Sequence, residues 1–291
     1  MFKRLCVIGT GLIGGSIARA ARAQGLCQSV VAYGREKNLP NLQHAKALGV
    51  IDAFYTDITA ALDGVDLVMI ATPVGTMQNI FELLKPHWNP HTIYSDAGST
   101  KGSVVAAAQA VFGQVPGNFV PAHPIAGAER SGVEASVPDL FQNRRLIITP
   151  LADTDADAVA KLTTFWQRIG SSVSVMSVEH HDTVLAATSH LPHILAFALV
   201  GLLGRKDEQR EIFKYAAGGF KDFSRIASSD PTMWLDICLA NKNEIIPLIQ
   251  QLKDELSNIE QLLVNDQAEK LFDTFTYARN ARQRFLDTLD D

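Results

Sequence analysis

The sequence predicts an α/β chain in which an N-terminal, doubly wound parallel sheet is followed by an all-helical C-terminal domain. Three observations carry this. Short apolar runs alternate with helical stretches through the first half. A glycine-rich turn joins the first strand to the first helix, and the strand signal stops after about Ser177. The expected boundaries are 1–177 and 178–291, in keeping with ~100–200 residues per domain.

The strand candidates are Leu5–Ile8, Ser29–Tyr33, Leu67–Ala71, Thr92–Ser95, Phe119–Ala122, Arg145–Thr149 and Val173–Met176. Runs such as Leu67–Ala71 are apolar at every position, as in strands covered on both faces of a parallel sheet. Helices are expected over Leu12–Gln24, Leu42–Leu48, Gly75–Leu84, Gly102–Val111 and Ala156–Ile169. Repeated strand–helix units of this kind build a doubly wound layer. Beyond Ser177, residues Ile245, Ile249, Leu252, Leu256, Ile259 and Leu263 recur at spacings of four and three, which is one apolar stripe on a helix. Asn265 and Asp266 interrupt it, and Leu271, Phe275, Ala278 and Phe285 mark a terminal helix. Such a stripe buries against its own domain or against a second subunit.

A hydrophobic content of 47% with 20% charged residues is ordinary for a globular protein. The net charge of −5 speaks against a nucleic-acid surface and suits a small-molecule substrate. No run reaches ~18 uninterrupted apolar residues, and Ile194–Leu203 is too short, so no membrane span is expected. The glycines after Ile8 interrupt any signal-peptide core. Cys6, Cys27 and Cys238 lack metal-ligand spacing and fit a reducing cytoplasm.

Gly9-Thr10-Gly11-Leu12-Ile13-Gly14 follows the strand LCVI and opens a helix. In the Rossmann-type dinucleotide site, the first glycine permits the turn, the second admits the pyrophosphate and the third lets helix and strand pack. The helix N-terminus, with the amides of Leu12 and Ile13, supplies free N–H groups for phosphates. Thr72 and Pro73, after the Leu67–Ala71 strand, are further candidates for cofactor contact. The second strand ends Tyr33-Gly34-Arg35, where an NAD site usually carries an acid on the ribose 2′-hydroxyl. Gly34 is expected to leave room there, and Arg35 offers a forked cation for a 2′-phosphate. The expected cofactor is therefore NADP or NAD, with a lean toward NADP.

Three more clusters bear chemistry. Asp96-Ala97-Gly98-Ser99-Thr100-Lys101 stands at the end of a strand. Ala122-His123-Pro124-Ile125-Ala126-Gly127-Ala128-Glu129 follows another strand. The helical half carries Ser189-His190-Leu191-Pro192-His193 and Gly218-Gly219-Phe220-Lys221-Asp222-Phe223-Ser224-Arg225-Ile226-Ala227. DxGSxK, HPxAGxE and GFKDFxRIA in this order, behind the dinucleotide fingerprint, resemble the prephenate/arogenate dehydrogenase family of tyrosine biosynthesis. The resemblance runs over essentially the whole chain.

That resemblance implies oxidative decarboxylation of prephenate, arogenate or both, with hydride passing to NAD(P)+. Aromatisation drives loss of carbon dioxide, so no metal is expected. It implies His123 as the catalytic histidine, a neutral imidazole that takes the hydroxyl proton. It implies Ser99 as a hydrogen-bond partner of the same hydroxyl, although a serine before Gly102 also reads as a helix N-cap. Arg225 corresponds to the arginine that binds a substrate carboxylate, a task suited to a permanently charged fork. His190 corresponds to a histidine near the substrate side chain, with His193 one turn away as its rival. Lys221, Asp222 and Glu129 correspond to charges at the pocket mouth, the aspartate reaching across from a neighbouring subunit. A homodimer through the helical domain is implied. Trp234 is read either as a pocket wall or as core. His180-His181-Asp182 is not read as a metal site, because adjacent helical residues point apart.

Two other readings remain at this stage. Related β-hydroxyacid or imine dehydrogenases pair the same domain types but use a lysine on a helix. A redox sensor holds NAD(P) without turnover and has no need of a proton acceptor. No stretch is left over for a further regulatory or mutase domain, so a single activity is expected.

Overall fold

The computed structural model describes residues 1–127, 130–206 and 211–290. In chain order the elements are β1 (Phe2–Ile8), α1 (Leu12–Ala23), β2 (Cys27–Tyr33), α2 (Leu39–Ala47), β3 (Ala53–Tyr55), α3 (Ile58–Leu62), β4 (Leu67–Ile70), α4 (Met77–Leu84), β5 (Ile93–Asp96), α5 (Gly102–Phe112) and β6 (Phe119–Val120). There follow β7 (Ala122–Pro124), β8 (Arg145–Ile148), α6 (Ala156–Arg168), β9 (Ser172–Val175), α7 (Val178–Leu185), α8 (Leu191–Lys206), α9 (Gly218–Ser224), α10 (Pro231–Ala240), α11 (Lys242–Val264) and α12 (Ala268–Asp290).

The main sheet is six-stranded and parallel, in the order β3-β2-β1-β4-β5-β6. This is the doubly wound order whose switch point lies between its first and fourth strands. Its central strands β4 and β5 are buried at every position. Successive side chains of β1 feed opposite layers: Leu5 and Val7 join one apolar cluster, and Cys6 and Ile8 join the other. That alternation is the period of two of an extended strand, and here both faces are covered. Each layer buries large side chains completely, Trp166 in one and Phe81 in the other.

One feature departs from the sequence reading. Phe119–Ala122 was expected as a single strand, and Arg145–Thr149 and Val173–Met176 as part of the same parallel layer. Instead the chain breaks at Pro121, which has no N–H to give a ladder. β6 ends the main sheet, while β7 starts a second, three-stranded sheet, β7-β8-β9. In that sheet β7 runs antiparallel to β8, with His123 opposite Ile147, and β9 runs parallel to β8. Strand β3 with three residues and helix α3 with five are too short to be seen by periodicity.

By compactness the chain falls into two units, Met1–Lys242 and Asn243–Asp291. In the first unit, Ser177 caps α7 through His180 N at 3.1 Å. α7 then passes through a π-helical turn over Ala186–His190 directly into α8. Taken whole, Val178–Lys206 is a continuous helix of 29 residues with a window of mean hydropathy 1.6. By length and composition alone it is able to cross a bilayer, which the shorter Ile194–Leu203 reading did not register. Asp230 caps α10 through the amides of Thr232 and Met233, behind Pro231 in the first turn. The second unit is a helical pair. Its turn is made by Asp266 at φ 50, beside the expected break.

Candidate active site

The cofactor crevice forms at the switch point. β1 and β4 pair in register from Leu5↔Leu67 to Ile8↔Ile70, and Ala71 N donates to Ile8 O at 2.8 Å. The Gly9–Gly14 turn and the Thr72-Pro73 loop therefore leave the sheet side by side. Gly9 adopts φ +100, and a Cβ there would lie 2.6 Å from Ala71 O. A Cβ on Gly14 would collide with the Gly9 carbonyl. At Gly11, by contrast, a Cβ meets nothing within 4 Å. Gly9 and Gly14 are required by packing, and Gly11 opens space in front of the α1 N-terminus. No side chain caps that terminus, so the Leu12 and Ile13 amides remain for an anion. This cradle fits a dinucleotide pyrophosphate. The adjoining cavity, about 430 Å³, is lined by Gly9, Gly11, Arg35, Asn38, Thr72 and Pro73 among others, and no carboxylate among the described residues lines it.

Gly34 corrects one expectation. A Cβ at this position would meet Leu42 Cδ1 at 3.0 Å and Asn38 Cβ at 3.5 Å, so the site has little room for a carboxylate. Asn41, which also lines the cavity, donates to Thr10 Oγ1 at 2.7 Å and thereby ties α2 to the glycine turn. Arg35 is exposed and makes no ion pair among the described residues.

The DxGSxK loop lies at the carboxyl end of β5. Lys101 is fully buried, its Nζ paired with Asp96 Oδ2 and donating to Ala122 O at 2.7 Å. Asp96 Oδ1 accepts from Ala122 N at 3.2 Å and Oδ2 from Gly98 N at 2.8 Å. Both backbone groups of Ala122, the residue before His123, are thus held by this one ion pair. Ser99 is half-buried in the loop so clamped. It does not cap α5. That cap is Asp182 of α7, whose Oδ1 accepts from Lys101 N and Oδ2 from Gly102 N, each at 2.8 Å.

Asp182 also organises the histidines. His181 Nδ1 lies 2.7 Å from Asp182 Oδ1, and His181 Nε2 lies 2.9 Å from His123 Nδ1. His180 is exposed, whereas His181 is fully buried. The two point apart as expected, but the buried one completes an Asp182–His181–His123 chain that the sequence reading missed. The signal was present in the HHD triplet and was set aside because only a metal was considered. Burial drives the His123 imidazole well below its ordinary range, and the charges of His181, Lys101 and His190 push it the same way. His181 is lowered by burial, with Asp182 opposing. Burial favours the acid form of Asp182, but hydrogen bonds from His181, Lys101 N and Gly102 N outweigh it and hold the carboxylate ionised.

His190 sits at the end of the π turn, buried, and burial lowers it to about 4. Its Nδ1 lies 3.1 Å from Nδ2 of the buried Asn241, and that same amide donates to Asp182 O at 2.8 Å. His193 is half-buried, its Nδ1 donates to Ser189 O at 2.9 Å, and its ring stacks on Trp234 at 3.8 Å. Burial lowers His193, and the nearby positive charge of Arg225 adds to this. Trp234 meets His190 edge-on as well, and its buried Nε1 has no partner among the described residues. His123, His190, Arg225 and Trp234 are thus gathered around one region. Lys221 and Asp222 lie on the exposed surface of α9, and Glu129 lies outside the described residues.

With this geometry in place, comparison with known proteins is direct. Residues 17–175 match the family model "Prephenate dehydrogenase, nucleotide-binding domain", and residues 177–277 match "Prephenate dehydrogenase, dimerization domain". The chain belongs to the prephenate dehydrogenase family. A cyclohexadienyl dehydrogenase of Zymomonas mobilis is 36% identical over 97% of this chain and 96% of its own. A prephenate dehydrogenase of Bacillus subtilis is also 36% identical, over 97% and 76%. The crystal structure of prephenate dehydrogenase from Aquifex aeolicus with hydroxyphenyl propionate and NAD+ superposes with a TM-score of 0.90 at 35% identity, covering 98% and 99% of the two chains. The family read from DxGSxK, HPxAGxE and GFKDFxRIA is therefore the right one.

Proposed function

We propose that this chain carries out the oxidative decarboxylation of a hydroxycyclohexadiene carboxylate, prephenate or arogenate, with His123 as proton acceptor. The observation that carries the proposal is His123 itself: buried, uncharged, with Nδ1 committed to His181, on β7 next to the carboxyl end of β5 in the sheet that bears the dinucleotide crevice. The bound nicotinamide supplies the hydride acceptor. The substrate hydroxyl gives its proton to His123 Nε2 as its carbon loses hydride, and a carbonyl forms. The ring–carboxylate bond then breaks and carbon dioxide leaves; its electron pair enters the ring and displaces the carbonyl pair onto oxygen, which takes the proton back from His123 as the aromatic hydroxyl forms. Ser99 orients the hydroxyl, Arg225 pairs with a substrate carboxylate, and His190 faces the side chain. By the family resemblance we assign Lys221 and Asp222 to the mouth of the pocket, and Glu129 to substrate binding.

The finer cofactor reading is a preference for NADP, supported by Arg35 and by a cavity without carboxylates. The functional division stays at 177/178, with the dinucleotide before it and substrate binding and assembly after it. We also read the protein as a homodimer. Among the described residues of α11 and α12 only Ile245 and Leu262 are buried, while Phe272, Phe275 and Leu263 are exposed. A two-helix hairpin with so little core needs a partner. The apolar faces of α8 and α10, with Leu202, Leu235 and Leu239 exposed, are read as surfaces for protein rather than for lipid. Three free cysteines suit the cytoplasm.

The test is the absorbance of reduced cofactor when prephenate or arogenate is added. His123→Asn should keep cofactor affinity and lose ~10²–10⁴-fold in kcat. An unchanged kcat removes His123 from the chemistry.

A further inference from the structure

We infer that His181 and Asp182 are positioning residues that act on His123 through hydrogen bonds, fixing its proton on Nδ1 and leaving Nε2 as the acceptor. The inference rests on the reading of His123 as proton acceptor and adds how that state is set.

The amides of Lys101 and Gly102 point at the two oxygens of Asp182, so that carboxylate accepts. Its third contact, His181 Nδ1 at 2.7 Å, must then be an N–H. A neutral imidazole has one N–H, so His181 Nε2 carries a lone pair. Across 2.9 Å, His123 Nδ1 must donate to it. His123 is neutral as well, and its lone pair is therefore on Nε2. Burial of both rings, with Lys101 close to His123, keeps a second proton away.

The neighbouring histidine is set the opposite way by the same residue. The backbone carbonyl of Asp182 accepts from Asn241 Nδ2, which fixes the amide's orientation. The other N–H of that amide faces His190 Nδ1, so His190 carries its proton on Nε2. One side chain and one carbonyl of Asp182 thus set an acceptor at His123 and a donor at His190. Capping α5 needs Asp182 alone; the buried His181 has no part in it.

The test uses the full-length protein with histidine ring nitrogens labelled, read by NMR without substrate, together with steady-state kinetics. In wild type, His123 should show an unprotonated Nε2 and His190 a protonated one. In Asp182→Asn with the amide nitrogen at the Oδ1 position, Gly102 N keeps its acceptor, Lys101 N loses its own and His181 Nδ1 meets an N–H, so every proton in the chain moves to the other ring nitrogen. His123 should then carry its proton on Nε2. The rate constant kcat should fall ~10²–10⁴-fold while NAD(P)+ affinity and substrate KM stay within about threefold. Should that variant not fold, His181→Leu and His181→Gln serve instead. Leu removes the acceptor, whereas Gln places an amide oxygen near the lost Nε2, so Gln should recover most of the kcat that Leu loses. A wild-type His123 protonated on Nε2, or a kcat in His181→Leu within twofold of wild type, overturns the relay. Absence of turnover by wild type with either substrate overturns the function instead, and the NMR result still stands or falls by itself.

Discussion

Acid should destabilise this protein through His190, and the size of the effect follows from its surroundings. Burial lowers the imidazole from 6.5 to about 4, and Asn241 occupies the nitrogen that would otherwise be protonated. In the unfolded chain the same group titrates at ~6.5. Below that pH the unfolded state binds a proton that the folded state refuses, so the folded state loses ground as pH falls from 6.5 toward 4. Above 6.5 the group contributes no pH dependence. At ~1.4 kcal/mol per tenfold difference in proton affinity, His190 alone removes about 2 kcal/mol between pH ~7.5 and ~5. His190→Asn removes the titrating group and keeps an acceptor for the Asn241 amide. The assay is urea denaturation of wild type and variant across that range. The wild-type curve should fall more steeply by about one proton's slope. Parallel curves, agreeing within ~0.5 kcal/mol after a constant offset, would mean that His190 is not held neutral by the fold.

Three further outcomes are expected. Arg35→Ala should lower kcat/KM about tenfold for NADP+, a modest figure because the side chain is exposed, and leave NAD+ nearly unchanged; equal losses for both cofactors would reduce Arg35 to adenine stacking. Trp234→Phe keeps the ring on His193 and deletes the unpartnered Nε1–H, so substrate KM should rise several-fold with kcat steady. Leu239→Glu places a charge on an exposed apolar face, and light scattering should show a shift toward monomer; an unchanged mass places that face outside the assembly.

Where sequence reasoning succeeded, the signal was periodic or tied to a backbone requirement. All-apolar strands and a glycine fingerprint leave little choice about the main sheet, because Gly9 and Gly14 have no space for a side chain. The apolar stripe from Ile245 to Leu263 shows a helix without saying what covers it. The second sheet was illegible because Pro121 acts by an N–H it lacks, and periodicity does not register one missing donor. Ser99 was weighed as a local cap because a capping box is a short-range pattern, whereas the true cap comes from Asp182, far along the chain. The relay was missed for the same reason. His123 and His181 are 58 residues apart, and no spacing rule connects them. His190 and His193 are one turn apart and inseparable by spacing; their surroundings differ, since Asn241 contacts the first and the second stacks on Trp234.

The position of the site follows from the same break that sequence missed. At Pro121 the chain leaves the parallel sheet, and Ala122 loses the ladder partners that a continuing strand would have. A buried N–H and C=O cannot stay unpaired without a cost of ~1–3 kcal/mol each. Asp96 and Lys101 take both, as a buried ion pair that costs desolvation and is worth keeping only when its remaining hydrogen bonds are met. Here Gly98 N and Ala122 N meet them on the acid, and Ala122 O on the amine. The clamp therefore holds the start of β7 against the carboxyl end of β5, which puts His123 at the sheet edge where a doubly wound fold binds its ligands. Burial keeps the imidazole uncharged, and the clamp adds a cation that pushes the same way. One ion pair thus supplies the strand end that carries the base and adds its cation to the burial that keeps it a base.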